Sequence, residues 1–331
     1  MVVLSCILAI SQGYFKFGGG DAATFAKAVA VEQHRPVAAL VYDNRPIKPF
    51  QLPRFGAQDF PRDLNERTGW RPVMGSAIGL SRGCWTHDVY YPYVTKKSTF
   101  GLTKDSPDDL IFKSSLTVSS APKTYFELGD LQKAPWPKPL KVHWFYQKMA
   151  VVLDAHDAFP ATMLEAISKA VGGKFVETDK EFRIDFDAKE FRARTMATLA
   201  QSFPFDPERD SPANDPNSDP MAGVARCERT VILETIRALS DADLDRLFVK
   251  KGISRVIPAP KDSPLSMAVQ AKLAAYEDMV HSKVSVAGNL IETYRAVLKK
   301  IDGDIPPRIY FSSPLVASVA LGMKGGGTIL L

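Results

Sequence analysis

The run Trp144–Asp154, WFYQKMAVVLD, constrains this chain more than any other stretch. It is rich in aromatic and β-branched residues, which suit a pleated, half-buried surface, so it predicts a strand. It closes on Asp154-Ala155-His156-Asp157, polar residues read here as the strand's end. Pro160 then stands where a first helical turn tolerates it. Met163, Leu164, Ile167 and Val171 recur at helical spacing, and Gly172-Gly173 stop the helix. A second strand is expected over Lys174–Val176, a turn at Thr178-Asp179-Lys180, and a third strand over Phe182–Phe186, where Phe182, Ile184 and Phe186 alternate with Arg183 and Asp185. Ala188–Gln201 reads as a second helix. The order β-α-β-β-α is the unit of ferredoxin-like sheets. The expectation is an α+β protein with a ferredoxin-like segment over 141–202.

The flanks differ in character. Residues 1–140 read as a loop-rich α+β region. It has a strand over Val2–Ser11, a Gly18-Gly19-Gly20 turn, a helix over Ala22–Glu32 capped by Asp21, and a strand over Val37–Tyr42. From Arg45 to Phe100, prolines, glycines and aromatics are scattered without a clear period, which signals irregular β structure. Strands follow at Leu110–Val118 and Thr124–Leu128. The prolines of Ala134–Pro139 then predict a stiff extended connector. Phe203–Pro220 alternates Pro204, Pro207, Pro212, Pro216 and Pro220 with aspartates. Proline at that density excludes a helix or a central strand, so 203–220 is expected to be a linker. Residues 221–331 read as mostly helical. Ser240 and Asp243 form a capping box, Ser263 caps a helix begun by Pro264, and closing strands are expected at Ile309–Phe311 and Thr328–Leu331.

Composition bounds the function classes. With 45% hydrophobic and 24% charged residues, 331 residues can build one large or two modest globular cores. Cys6, Cys84 and Cys227 are odd in number and far apart. They offer neither a disulfide framework nor zinc spacing, so a reducing, cytoplasmic setting is expected. Met1–Ile10 is apolar but lacks a basic leading segment, so it reads as a strand and not a signal peptide. No run has the length of a membrane helix, so no membrane partner is expected. The net charge of +5 tilts the chain toward anionic partners.

Two residue sets carry candidate chemistry. Asp154 and His156, at the end of the first central strand, are expected to approach Glu177 and Asp179 at the hairpin. Carboxylates converging there would hold a divalent metal through their oxygens, with Asp154, Asp179 and the His156 imidazole as ligands. No other cofactor fingerprint is present. The second set lies in 45–100, where Arg54, Arg62, Arg67, Arg71, Arg82, Lys96 and Lys97 alternate with rings that include Phe50, Phe60, Trp70 and Trp85. Such interleaving suits single-stranded nucleic acid, with cations on phosphates and rings on bases. Cys84 and His87 are too close in sequence to argue for a nucleophile and base. His34, His143 and His281 read as isolated hydrogen-bonding residues. The resulting expectation is a non-catalytic structural subunit of a larger assembly that contacts RNA or single-stranded DNA and binds other subunits or copies of itself. The alternatives are a metal-dependent enzyme acting on nucleotides or phosphate esters and a shell or coat protein without nucleic-acid contact.

Overall fold

The computed structural model describes residues 14–41, 46–53, 59–82, 103–104, 116–120, 124–201, 220–249, 254–260, 262–281, 292, 295–302, 305, 308–312 and 316–330. It has both helices and mixed sheets and is of the α+β class. Two compact units divide the chain. Residues 1–83 with 87–185 form one, and 84–86 with 186–331 form the other. The strand expected over Val2–Ser11 and the linker over 203–220, Pro220 apart, lie outside the described residues.

The first unit runs β1 (Tyr14–Phe17), α1 (Ala22–Gln33), β2 (Val37–Val41), β3 (Phe50–Pro53), α2 (Phe60–Thr68), β4 (Trp70–Val73), β5 (Ile78–Arg82), β6 (Thr103–Lys104), β7 (Leu116–Ser119), β8 (Phe126–Glu127), α3 (Leu128–Leu131), β9 (Leu140–Val142), β10 (Ala150–Ala158), α4 (Pro160–Val171), β11 (Gly173–Glu177) and β12 (Phe182–Phe186). A seven-stranded sheet has the order β4-β5-β2-β10-β7-β6, with β8 also paired to β10. β2 lies parallel to β5 and antiparallel to β10, with Val37 opposite Asp154 and Val41 opposite Ala150.

Every residue of β2 is buried because helices cover both faces of the sheet. On one face, Val37, Ala39, Val41, Ala150 and Val152 join Phe25, Ala26 and Val29 of α1 in a core. Asp21 starts α1 by accepting from the Thr24 backbone N–H at 2.9 Å, as its sequence predicts. On the other face, α4 packs on β2 and β5 with Met163, Leu164, Ile167 and Val171 buried. Gly172 ends α4 in the left-handed region at φ 66°.

Three expectations are corrected. The strand does not start at Trp144. Phe145 and Tyr146 are fully buried in the turn before it, and Tyr146 Oη donates to the Gly172 carbonyl at 2.9 Å. The strand also does not end at Asp154 but continues through Ala158. Finally, the β-α-β-β-α order is present without a ferredoxin sheet. β11 and β12 belong to a separate three-stranded sheet, in which β12 runs parallel to β9. The reason is that both edges of β10 are occupied, one by β2 and the other by β8 and β7, so it has no edge for β12. The connector at 134–139 is anchored too. Trp136 is buried and donates from Nε1 to the Leu131 carbonyl at 2.7 Å.

The second unit holds α5 (Ala188–Gln201), α6 (Pro220–Ala238), α7 (Asp241–Val249), β13 (Ser254–Pro258), α8 (Pro264–His281), β14 (Arg308–Ser312), β15 (Val316–Gly322) and β16 (Thr328–Leu330). α6 and α8 pack through Val224, Cys227, Ala275, Tyr276 and Val280. Arg192 on α5 pairs with Asp241 at 2.7 Å and donates to the carbonyls of Ile236, Arg237 and Leu239, which fastens α5 to the end of α6. Ser240 caps α7, its Oγ accepting from the Asp243 N–H at 3.1 Å and donating to Asp243 Oδ2 at 2.7 Å, and the Ser263 cap forms as expected. The C-terminal half is less purely helical than its sequence suggests, because β13 to β16 form a four-stranded antiparallel sheet.

Candidate functional site

Of the residues expected to hold a metal, Asp154 and His156 are neighbours at 3.1 Å, while Asp179 lies on a different sheet. Asp154 is buried on β10, while Asp179 is exposed on the hairpin between β11 and β12, in the other sheet. No group of three or more His, Cys, Asp or Glu side chains suited to a metal occurs among the described residues. Glu177 is engaged elsewhere, accepting from Lys138 Nζ at 2.8 Å.

The arginine-aromatic region is also rearranged. Phe60 and Trp70 are buried, and Phe50 packs against the same core. Ring centroids stand 5.5 Å apart for Phe25 and Trp70 and 5.8 Å for Phe15 and Phe60. Rings committed to a core in this way offer no face to a base. Arg62 donates from Nε to Asp63 at 3.2 Å and pairs with Asp59 at 3.2 Å. The Asp63 hydrogen bond, then the charges of Asp63 and Asp59, hold its guanidinium pKa above the usual arginine range. Arg67 lies in the last turn of α2 and Arg71 on β4, and both are exposed. Arg82 ends β5. Arg54, Trp85, Lys96 and Lys97, and with them Cys84 and His87, lie outside the described residues.

What the fold does bring together is a groove of about 540 Å³ between the end of α1 and the junction of β10 with α4. Its lining includes Val31, His34, Arg35, His156, Asp157 and Phe159. Each side is positioned by local chain chemistry. α1 stops because Pro36 disfavours helical geometry at Arg35. His34 takes the left-handed conformation, φ 51° and ψ 44°, and its N–H bonds back to the Ala30 carbonyl. Arg35 is exposed and donates from Nη1 to the Gly75 carbonyl at 2.7 Å, which tethers one side of the guanidinium.

Across the groove, β10 carries a bulge. Ala155 faces Val118 and Ala158 faces Leu116, so His156 and Asp157 together oppose one residue of β7. Asp157 adopts φ 50° there. The bulge turns His156 out of the ladder, leaving its side chain 53% exposed beside Asp154.

Asp154 is only 2% exposed. Its Oδ2 accepts from Ser119 Oγ at 2.6 Å. Its Oδ1 accepts no hydrogen bond from a described residue, and His156 Nε2 stands 3.1 Å away, off hydrogen-bond alignment but near enough for a charge pair. A buried carboxylate oxygen left in this way is costly in a native fold and calls for a physical reason. Phe159 and Val31, 58% and 60% exposed, add a bare ring and an apolar branch to the same groove.

Sequence reasoning singled out Asp154 and His156 but not His34, Arg35 or Phe159. His34 reads as isolated until α1 and β10 are seen on one core. His143 does act as the local hydrogen-bonding residue expected, with Nδ1 accepting from the Phe145 N–H at 3.3 Å. No described helix is long and apolar enough to cross a membrane. No protein-family model, curated protein or solved structure matches the chain.

Proposed function

We propose that this protein is a subunit of a larger assembly that contacts RNA or single-stranded DNA through the groove between α1 and α4. The observation that carries the reading is the exposed ring of Phe159 in one groove with Arg35, His34 and His156. An exposed aromatic face stacks on an unpaired base, contributing about 1–3 kcal/mol. A guanidinium beside it neutralises the neighbouring phosphate and supplies planar donors to its oxygens. The net charge of +5 favours the encounter.

Magnitude argues for the assembly. One ring and one arginine make a footprint of about one nucleotide. A few kcal/mol corresponds to a dissociation constant of order 1 mM. Useful affinity then requires several such contacts in a row, supplied by copies of the chain or by other subunits.

Fluorescence anisotropy with labelled oligouridine and oligothymidine of increasing length tests this. Affinity is expected to rise with length and to fall steeply between about 50 and 200 mM salt. Phe159→Ala is expected to weaken binding about 5- to 150-fold, the factor equivalent to a lost stack. Absence of binding at low salt, or Phe159→Ala binding as tightly as the parent chain, would overturn the reading.

A further inference from the structure

We propose that the same groove cleaves single-stranded RNA, with His156 as general base, His34 as general acid and Asp154 as the residue that positions His156. This rests on the nucleic-acid reading above. Independent features border one groove. A buried carboxylate is fixed by Ser119 on one oxygen and free of hydrogen bonds from described residues on the other. A bulge delivers an imidazole to that second oxygen and to the groove. A second imidazole and a guanidinium line the same groove. A carboxylate behind a histidine fixes the ring and stabilises the imidazolium that forms when the ring takes a proton. The unaligned 3.1 Å contact is of the kind that tightens once substrate is bound.

The chemistry balances without a further reactant. With Nε2 turned to Asp154, Nδ1 of His156 accepts the proton of the ribose 2′-hydroxyl. The O2′–P bond forms and the P–O5′ bond breaks. Protonated His34 gives its proton to O5′. The products are a 2′,3′-cyclic phosphate and a 5′-hydroxyl, and the two imidazoles return to their starting protonation states by exchange with solvent. Arg35, tethered to Gly75 by one donor, has donors left for the non-bridging oxygens on which charge develops. The titratable or charged groups here are Asp154 and Asp157 on β10 and His34 and Arg35 after α1. α4 adds the neutral Thr162 and β7 the neutral Ser119.

The test incubates the full chain, in EDTA, with end-labelled single-stranded RNA and with the same sequence as DNA, while binding is measured in parallel. The expected result is 2′,3′-cyclic phosphate ends from RNA and no cutting of DNA. His156→Ala and His34→Asn are each expected to slow cleavage of bound RNA by about 10²- to 10⁴-fold. Asp154→Asn should lower the rate at saturating RNA per molecule competent to bind RNA, a loss that a smaller folded fraction would not give, because the parallel binding titration counts the competent molecules. RNA that is bound but never cut, or is cut equally by His156→Ala, overturns the cleavage proposal and leaves the binding reading standing. RNA that is not bound overturns both.

Discussion

Glu165 joins α4 to the loop before β5 through two short contacts. It accepts from Ser76 Oγ at 2.6 Å and from Lys169 Nζ at 2.6 Å, while Lys169 also donates to the Ala77 carbonyl at 3.1 Å. Burial pushes its carboxyl up, but the hydrogen bonds from Lys169 and Ser76, with the lysine charge, outweigh that and leave it below the usual glutamate range. A carboxyl depressed on folding adds stability above its unfolded pKa, and that stability is lost as pH falls through the folded value. Glu165→Gln is therefore expected to be less stable than the parent chain at pH 7. The gap should close once the pH drops below the reference glutamate value of about 4.3. Urea midpoints measured at neutral and acid pH check this, and a gap that widens on acidification would contradict it.

At the scale of elements, α4 lies on the sheet at a glycine. A Cβ on Gly79 would stand 2.2 Å from the Ala170 backbone nitrogen and 2.3 Å from the Lys169 carbonyl carbon, so the helix itself would have to move. Overpacking of this kind costs about 1–3 kcal/mol, more than the roughly 0.4–1 kcal/mol an alanine gains by restricting the unfolded chain. Gly79→Ala should lower the urea midpoint of the first unit, and an unchanged midpoint would show that α4 sits further from β5. Nothing around Gly79 in sequence marks this role, since its neighbour lies on a helix far along the chain.

α4 itself was legible, because Pro160, the buried spacing of Met163 to Val171 and Gly172 are all local signals. The course of β10 was not. Asp154 looks like a strand end until Ser119, on a distant strand, is seen to satisfy one of its oxygens. The hairpin of β11 and β12 was readable from alternation, but its sheet depended on which edges of β10 were already occupied. The groove escaped for the same reason. His34 ends a helix and His156 sits on a bulge, and only the shared packing of α1 and β10 brings them to one place.

For the whole molecule, the two units are built differently. One is a mixed sheet covered by helices on both faces, and the other is a set of helices with an antiparallel four-stranded sheet. The functional reading rests on the first unit alone, on a groove that mixes a guanidinium and imidazoles with a bare ring. Phe50, Phe60 and Trp70, which the sequence offered as stacking faces, instead pack in that unit's core.

Photo-crosslinking single-stranded RNA that contains 4-thiouridine to the full chain, followed by mass spectrometry of the attached peptides, tests the location most directly. The account expects the principal crosslinks on the segments around His34 and 156–162, with Phe159→Ala reducing them. Crosslinks confined to other segments, or none above background, would contradict it.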